Sequence, residues 1–313
     1  MNKSVDWQQA LASLPLEQVL DCNACGSRGT SRDERWAQLL NLRPPYAVRR
    51  CTHCGLRWLD PRPSTDGYGR LYSDEMYFGG TSASPSNYAR LVSTRHGYFN
   101  ARLQALEVML GPAPLKILDF GAASGDFVAI ARRRGHACDG VELSKDARRT
   151  ARSAYGIELL SGEEVGKLPT GEYDVVHMNH VLEHMPDPAS HLRWCHDQLK
   201  PAGVVVIEVP QQFDNALDRL RRALSSGGRN PRFDAYSLHH TYFFSPGNLA
   251  GLCRRAGLEV VRHRTFNPAA TPLWPVSLRN WILYGLLRPV DAIAAAGNII
   301  EIVAAPVGRR LAH

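Results

Sequence analysis

From about Gly111 onward the chain alternates between short apolar runs and amphipathic stretches of helical period. "LKILDFG" is an apolar run ending in Gly. "DFVAIARRRG" follows with helical spacing and stops at Gly135. "HACDGVEL" predicts a second strand, and "SKDARRTARSAYG" predicts a helix with Ser144 as N-cap and Gly156 past its end. "IELL" and "YDVVHMN" predict a third and a fourth strand. "DPASHLRWCHDQLKPAG" predicts a helix capped by Asp187, with Pro188 at its first position. "VVVIEVP" predicts a fifth strand and "SPGNLAGLCRRAG" a further capped helix. "LEVVRHRTF" and "NIIEIVAAP" predict a final hairpin-like pair at the sheet edge. Strands alternating with helices in this way predict an α/β fold with a doubly wound, mostly parallel, seven-stranded sheet.

The first third of the chain reads differently. Residues 1–20 predict a short lead-in helix, and residues 21–60 hold "CNACG" and "CTHCG". Residues 61–110 form a linker rich in Pro, Gly, Ser and Tyr that turns helical from about Tyr88 to Leu110. The expected organisation is a small module over 1–60, the linker and helix over 61–110, and the α/β domain over 111–313. Insertions near 211–240 and 267–296 are expected to cap the substrate side.

Two Cys-x-x-Cys-Gly turns offer four thiolates, from Cys22, Cys25, Cys51 and Cys54, to one tetrahedral Zn²⁺ in a zinc-ribbon-like module. His53 lies inside the second turn and is expected to be a bystander. Seven cysteines cannot all pair, so no complete disulfide framework is possible; Cys138, Cys195 and Cys253 read as buried small residues.

"ILDFGAASGDF" is a strand, a Gly-rich turn and a helix start. In open α/β sheets a ligand sits beyond the carboxyl ends of the strands. Gly121 and Gly125, with the small Ala123 between them, let a ligand approach the backbone. The spacing matches neither a dinucleotide fingerprint nor a P-loop. Glu142 ends the second strand, where a carboxylate accepts from ribose hydroxyls, and Leu143 follows it. Glu163 lies at the tip of the third.

These stretches, with "LKPAGVVVIEVP" and "HHTYFFSPGNLAGLCRRAGLEVV", resemble class I S-adenosylmethionine-dependent methyltransferases over roughly residues 88–305. The nearest likeness is to the group of ubiquinone-biosynthesis O-methyltransferases and sugar and natural-product methyltransferases. The resemblance implies a Rossmann-like methyltransferase sheet and S-adenosylmethionine as cofactor. It implies that Asp119, Gly121, Ala123 and Gly125 line the methionine end, Glu142 holds the ribose and Glu163 lies beside the adenine. It further implies that Asn179 and His180 close over the sulfonium. Ala123 departs from the family's usual Gly.

"NHVLEHMPDP" contains His-x-x-Glu-His, but Pro186 and Pro188 end any helix too soon for a zinc-hydrolase site. His180, His184 and His240 are therefore candidate bases or orienting residues near the strand ends. A second expectation is a divalent ion on His180, Glu183 and His184, with His239 or His240. The ubiquinone-type relatives carry Glu where this chain has His180.

The net charge of +7 is concentrated late: residues 211–313 hold 13 Lys and Arg against 6 Asp and Glu. Arg219, Arg221, Arg222, Arg229 and Arg232 fit either a solvated face or an anionic acceptor. The stretch 273–294, with Trp274, Trp281, Tyr284, Leu287, Arg279 and Arg288, fits a packed cap or a membrane-surface contact. The expected acceptor is a sugar, nucleotide-sugar or secondary-metabolite intermediate. An RNA methyltransferase with a zinc ribbon, and a non-catalytic RNA- or protein-binding adaptor on the same fold, stay open. A charged N-terminal stretch and no long apolar run make a cytoplasmic location the expectation.

Overall fold

The apolar runs pair as their pattern requires. A computed structural model describes residues 13–40, 42–71, 96–111, 113–212, 215, 240–267, 286 and 297–308. In chain order its elements are β1 (Leu16–Glu17), β2 (Thr30–Arg32), α1 (Glu34–Leu39), β3 (Ala47–Cys51), β4 (Arg57–Asp60), β5 (Arg62–Pro63), α2 (Thr65–Leu71) and α3 (His96–Leu110). There follow β6 (Lys116–Phe120), α4 (Asp126–Arg133), β7 (Ala137–Val141), α5 (Lys145–Tyr155), β8 (Tyr173–Asn179), α6 (Pro188–Gln198) and β9 (Leu199–Pro210). The last are β10 (Tyr242–Phe243), α7 (Pro246–Arg255), β11 (Leu258–Phe266) and β12 (Ile299–Pro306).

The main sheet has six strands in the order β11-β12-β9-β8-β6-β7. The four from β9 to β7 are parallel, and β12 runs against both its neighbours. Its residues Ile117, Leu118, Val175, Val176, Val205, Ile207, Ile300 and Ile302 are fully buried, as strands covered on both faces must be. No described helix is long and apolar enough to cross a membrane.

Two expectations change. The run 157–160 is not a seventh strand: it contributes one bridge, Val141 to Leu160, before the chain turns into a 3-10 segment at Gly162–Lys167. Ile157 and Leu159 are buried all the same, so the apolar signal reported burial rather than pairing. The described part of the lead-in stretch is not helical; Pro15 interrupts it, and Leu16–Glu17 pairs with Arg62–Pro63. The helix expected from Tyr88 is seen from His96, and its earlier residues lie outside the described ones.

A second, antiparallel sheet has the order β10-β4-β3-β2. Its edge strand β10 comes from beyond residue 240, so the Cys-bearing segment is completed by the C-terminal half. One hydrophobic cluster runs from Cys22, Leu56 and Trp58 through Leu182 and Phe244 to Ile207 and Ile302.

Candidate active site

The Gly-rich turn leaves β6 at the carboxyl edge of the sheet. A Cβ on Gly121 would stand 2.4 Å from Val181 Cγ2, so this residue lets the turn lie against the β8 lip. Gly121 and Gly125 have φ of 78°, and Ala123 has φ of 48°, a left-handed value that costs a residue with a Cβ about 1–2 kcal/mol. The Ala123 amide donates to Glu142 Oε2 and the Ser144 amide to Glu142 Oε1, each at 2.8 Å. Burial raises the Glu142 pKa despite these amides. Leu143 is 48% exposed beside it, an apolar side chain left at the mouth. Glu163 is exposed in the 3-10 segment. Asn179 ends β8, and its carboxamide oxygen is buried with no hydrogen-bond partner among the described residues.

Beneath this edge runs a buried chain of ionisable groups. Asp119 Oδ1 accepts from His177 Nδ1 at 2.7 Å, and Arg102 Nη1 lies 3.0 Å from His177 Nε2. A guanidinium only donates, so Nε2 accepts and the proton sits on Nδ1, facing Asp119. The His177 ring stacks on Phe127 with centroids 4.0 Å apart. Arg102 also donates to Glu208 and, at 2.7 Å, to Glu301 Oε2, and Tyr98 donates to Glu208. Arg264 closes the far side on Glu301 Oε1 at 2.8 Å. Burial alone would lower the Arg102 pKa, but the carboxylates raise it. Burial would raise the carboxyls of Glu208 and Glu301; Arg102 outweighs it, with Glu301 brought to about 2.

The lip follows β8. His180 has φ of 56°, and its amide donates to the Glu208 carbonyl at 2.9 Å. Its ring stands between two buried carboxylates, with Nδ1 3.4 Å from Glu183 Oε1 and Nε2 3.6 Å from Glu208 Oε1. "LEH" at Leu182–His184 is a single 3-10 turn, and the helix starts only at Pro188, as the prolines require. Glu183 is fully buried. His184 Nε2 is 3.8 Å away, an ion-pair distance, and among the described residues neither carboxylate oxygen has hydrogen-bond geometry to a partner. Burial would raise the Glu183 pKa, but His180, His184 and His240 together hold it at about 2. The His184 and His240 rings meet edge to face at 4.8 Å. Ligand atoms of Glu183, His184 and His240 lie within 4.8 Å of one another; that group does not include His180. His239 lies outside the described residues.

The four cysteines Cys22, Cys25, Cys51 and Cys54 also converge, with all sulfurs within 4.8 Å. Cys22 and Cys54 sulfurs are 3.4 Å apart and those of Cys25 and Cys51 are 3.6 Å apart. A tetrahedral zinc with 2.3 Å bonds needs about 3.8 Å between sulfurs, so a shift of a few tenths of an ångström accommodates it. Gly26 and Gly55, one after each turn, have φ of 74° and 75°, which closes both turns tightly. His53 is exposed. Burial raises the Cys54 thiol to about 11; at Cys51 the amides of Cys54 and His53 outweigh burial and bring it to about 7.

The module reaches the lip directly. The Thr241 amide donates to the Glu183 carbonyl, and the Leu59 amide donates to the Thr241 carbonyl. Tyr68 bonds Thr241, and Arg62 donates to Tyr242. None of Asn23, Arg102, His177, Glu208 or Glu301 stands out by motif. A single acid in the apolar runs "VVVIEVP" and "NIIEIVAAP" is the one signal that pointed to Glu208 and Glu301. The basic residues Arg219 to Arg232 and the aromatic stretch 273–294, apart from Leu286, lie outside the described residues.

Residues 93–263 match a methyltransferase-domain family. The ubiquinone biosynthesis O-methyltransferase of Thiobacillus denitrificans is 30% identical over 176 residues, covering 53% of this chain and 75% of that protein. Its namesake from Ralstonia nicotianae is 30% identical over 175 residues, covering 52% and 73%. Among solved structures, the Burkholderia thailandensis 1,6-didemethyltoxoflavin-N1-methyltransferase is 17% identical with a TM-score of 0.49, covering 84% of this chain and 96% of that one.

Proposed function

The chain belongs to the methyltransferase-domain family and is an S-adenosylmethionine-dependent methyltransferase, and from that premise we propose that it methylates a small-molecule acceptor. The acceptor is a sugar, nucleotide-sugar or secondary-metabolite intermediate, and the methyl goes to oxygen, or to carbon or nitrogen. The observation that carries this reading is the buried Glu183 beside His180 and His184, just past the end of β8 at Asn179, with His240 brought against it.

When bound, S-adenosylmethionine supplies a methyl group on a sulfonium. Glu142 would accept from its ribose hydroxyls, and the exposed Leu143 and the unpartnered oxygen of Asn179 would be available to the rest of the cofactor. His184 or His240 takes the proton of the acceptor. Glu183, ionised at neutral pH, stabilises the imidazolium that results. His180, held between two carboxylates, orients the lip. Cys22, Cys25, Cys51 and Cys54 would hold a structural zinc, which would stiffen the wall behind it.

Calorimetry with S-adenosylhomocysteine tests the cofactor site: micromolar binding is expected, weakened about 100-fold in Glu142→Ala. No binding at high micromolar concentration would sink it. Transfer of labelled methyl to a panel of hexoses, nucleotide sugars and phenols tests the acceptor. A second reading has its own observation, since two bare oxygens on a buried Glu183 suit a divalent cation shared with His184 and His240. Manganese resonance spectroscopy decides it: a bound Mn²⁺ signal lost in Glu183→Gln supports the cation, and free Mn²⁺ throughout removes it.

A further inference from the structure

At the carboxyl edge of the sheet the strand pairs end at Phe266 with Ile299 and at Ile299 with Pro210. The next residues along the chain at these strand ends are Asn267 after β11, Asn298 before β12 and Gln211 after β9, and Gln212 follows. The Gln211 amide donates to the Asn298 carbonyl at 2.8 Å, which holds the row together. Asn267, Gln211 and Gln212 are 4%, 3% and 3% exposed. Both polar ends of the Gln212 carboxamide, and the side-chain oxygen of Asn298, are buried with no hydrogen-bond partner among the described residues. Glu208, level with Asn179 at the lip, is three residues before Gln211, about 10 Å of strand.

We propose that this carboxamide row is the acceptor subsite and that it binds an uncharged, polyhydroxylated ring, the carbohydrate portion of the acceptor; this rests on the methyltransferase reading. Carboxamides offer donors and acceptors without charge, and so do vicinal hydroxyls. Among the described residues, the cations in the layer beneath the row, Arg102 and Arg264, are already paired with Glu208 and Glu301. A flat aromatic acceptor leaves the Gln212 carboxamide and the Asn298 oxygen unpaired, and a site built on hydrogen bonds rejects a ligand that lacks them.

The test is saturation-transfer NMR on the full chain with S-adenosylhomocysteine, offering UDP-glucose, GDP-mannose and catechol in turn. The expected result is saturation of hexose-ring protons in at least one nucleotide sugar and none in catechol. Gln212→Met, which keeps the side-chain volume, and Asn298→Leu each weaken that binding about tenfold or more, while S-adenosylhomocysteine affinity stays within about threefold. Thermal melts confirm that at least one of the two variants folds. Saturation of catechol instead of hexose, no hexose saturation at all, or variants that bind the sugar as tightly as the parent would each overturn the proposal. Failure of the parent chain to bind S-adenosylhomocysteine overturns the methyltransferase reading instead.

Discussion

The Asn23 carboxamide donates to Asp187 Oδ1 at 2.9 Å and accepts from the Ala189 amide at 2.7 Å. Asn23 lies between Cys22 and Cys25, and Asp187 is the N-cap of the helix that starts where the His184 lip ends. The four-cysteine cluster is thereby fastened to the first turn of α6, and β10, just after His240, is the edge of the same module's sheet.

Asn23→Ala removes both bonds, so the variant is expected to lose about 1 kcal/mol of stability, the usual worth of helix-cap contacts. A double-mutant cycle with Asp187→Ala should show coupling of similar size in urea denaturation. Release of zinc to a chelator, followed by absorbance, should be several-fold faster in Asn23→Ala than in the parent chain. Equal release rates would detach the cysteine cluster from α6.

Arg102 is the one cation shared by two buried carboxylates and the His177 ring among the described residues. Arg102→Met leaves Glu208 uncompensated and is expected to cost about 3–5 kcal/mol in urea denaturation. Arg102→Lys should not restore it, because an ammonium cannot reproduce the forked contacts to His177, Tyr98, Glu208 and Glu301.

Glu301 sets an acid limit. Its folded-state pKa is brought to about 2 from an ordinary 4.5 because Arg102, Arg264 and Arg262 outweigh burial, with Glu208 opposing from β9. A depressed carboxyl contributes stability in full above its unfolded value and loses it as pH falls through the folded value. Denaturation midpoints should therefore drop between about pH 4.5 and pH 2. Glu301→Gln should flatten that slope by about one proton, read from midpoints measured at each pH.

Ala123 carries a Cβ in a left-handed conformation, with φ of 48°. Ala123→Gly relieves about 1–2 kcal/mol of strain and gives back roughly half of it in chain entropy. A melting temperature raised by about 1–3 °C is expected in calorimetry, with S-adenosylhomocysteine affinity unchanged or slightly tighter. A lower melting temperature would show that the turn does not hold this conformation in solution.

Local patterns carried much of this molecule. The Ser144 and Asp187 caps and the Pro188 start were legible because each depends on residues within one turn. The Cys-x-x-Cys-Gly turns were legible because the spacing itself makes the ligand geometry. The run 157–160 was misread because an apolar signal reports burial, and pairing depends on how far a neighbouring strand extends. The last part of the lead-in stretch, 13–20, is not helical because Leu16 and Glu17 take their conformation from Arg62 and Pro63, more than forty residues away.

The sequence by itself determined the strand-turn-helix of the Gly-rich loop, the acid at Glu142 and the two Cys-x-x-Cys-Gly turns, since each is a short-range arrangement of the backbone. Only the tertiary structure decided which ionisable groups meet. Arg102 reaches Glu301 across 199 residues, Asn23 reaches Asp187 across 164, and the lip histidine His184 meets His240 from beyond β9. Such contacts leave no period in the chain; they come from packing two sheets against one core, where a buried charge persists only beside its partner.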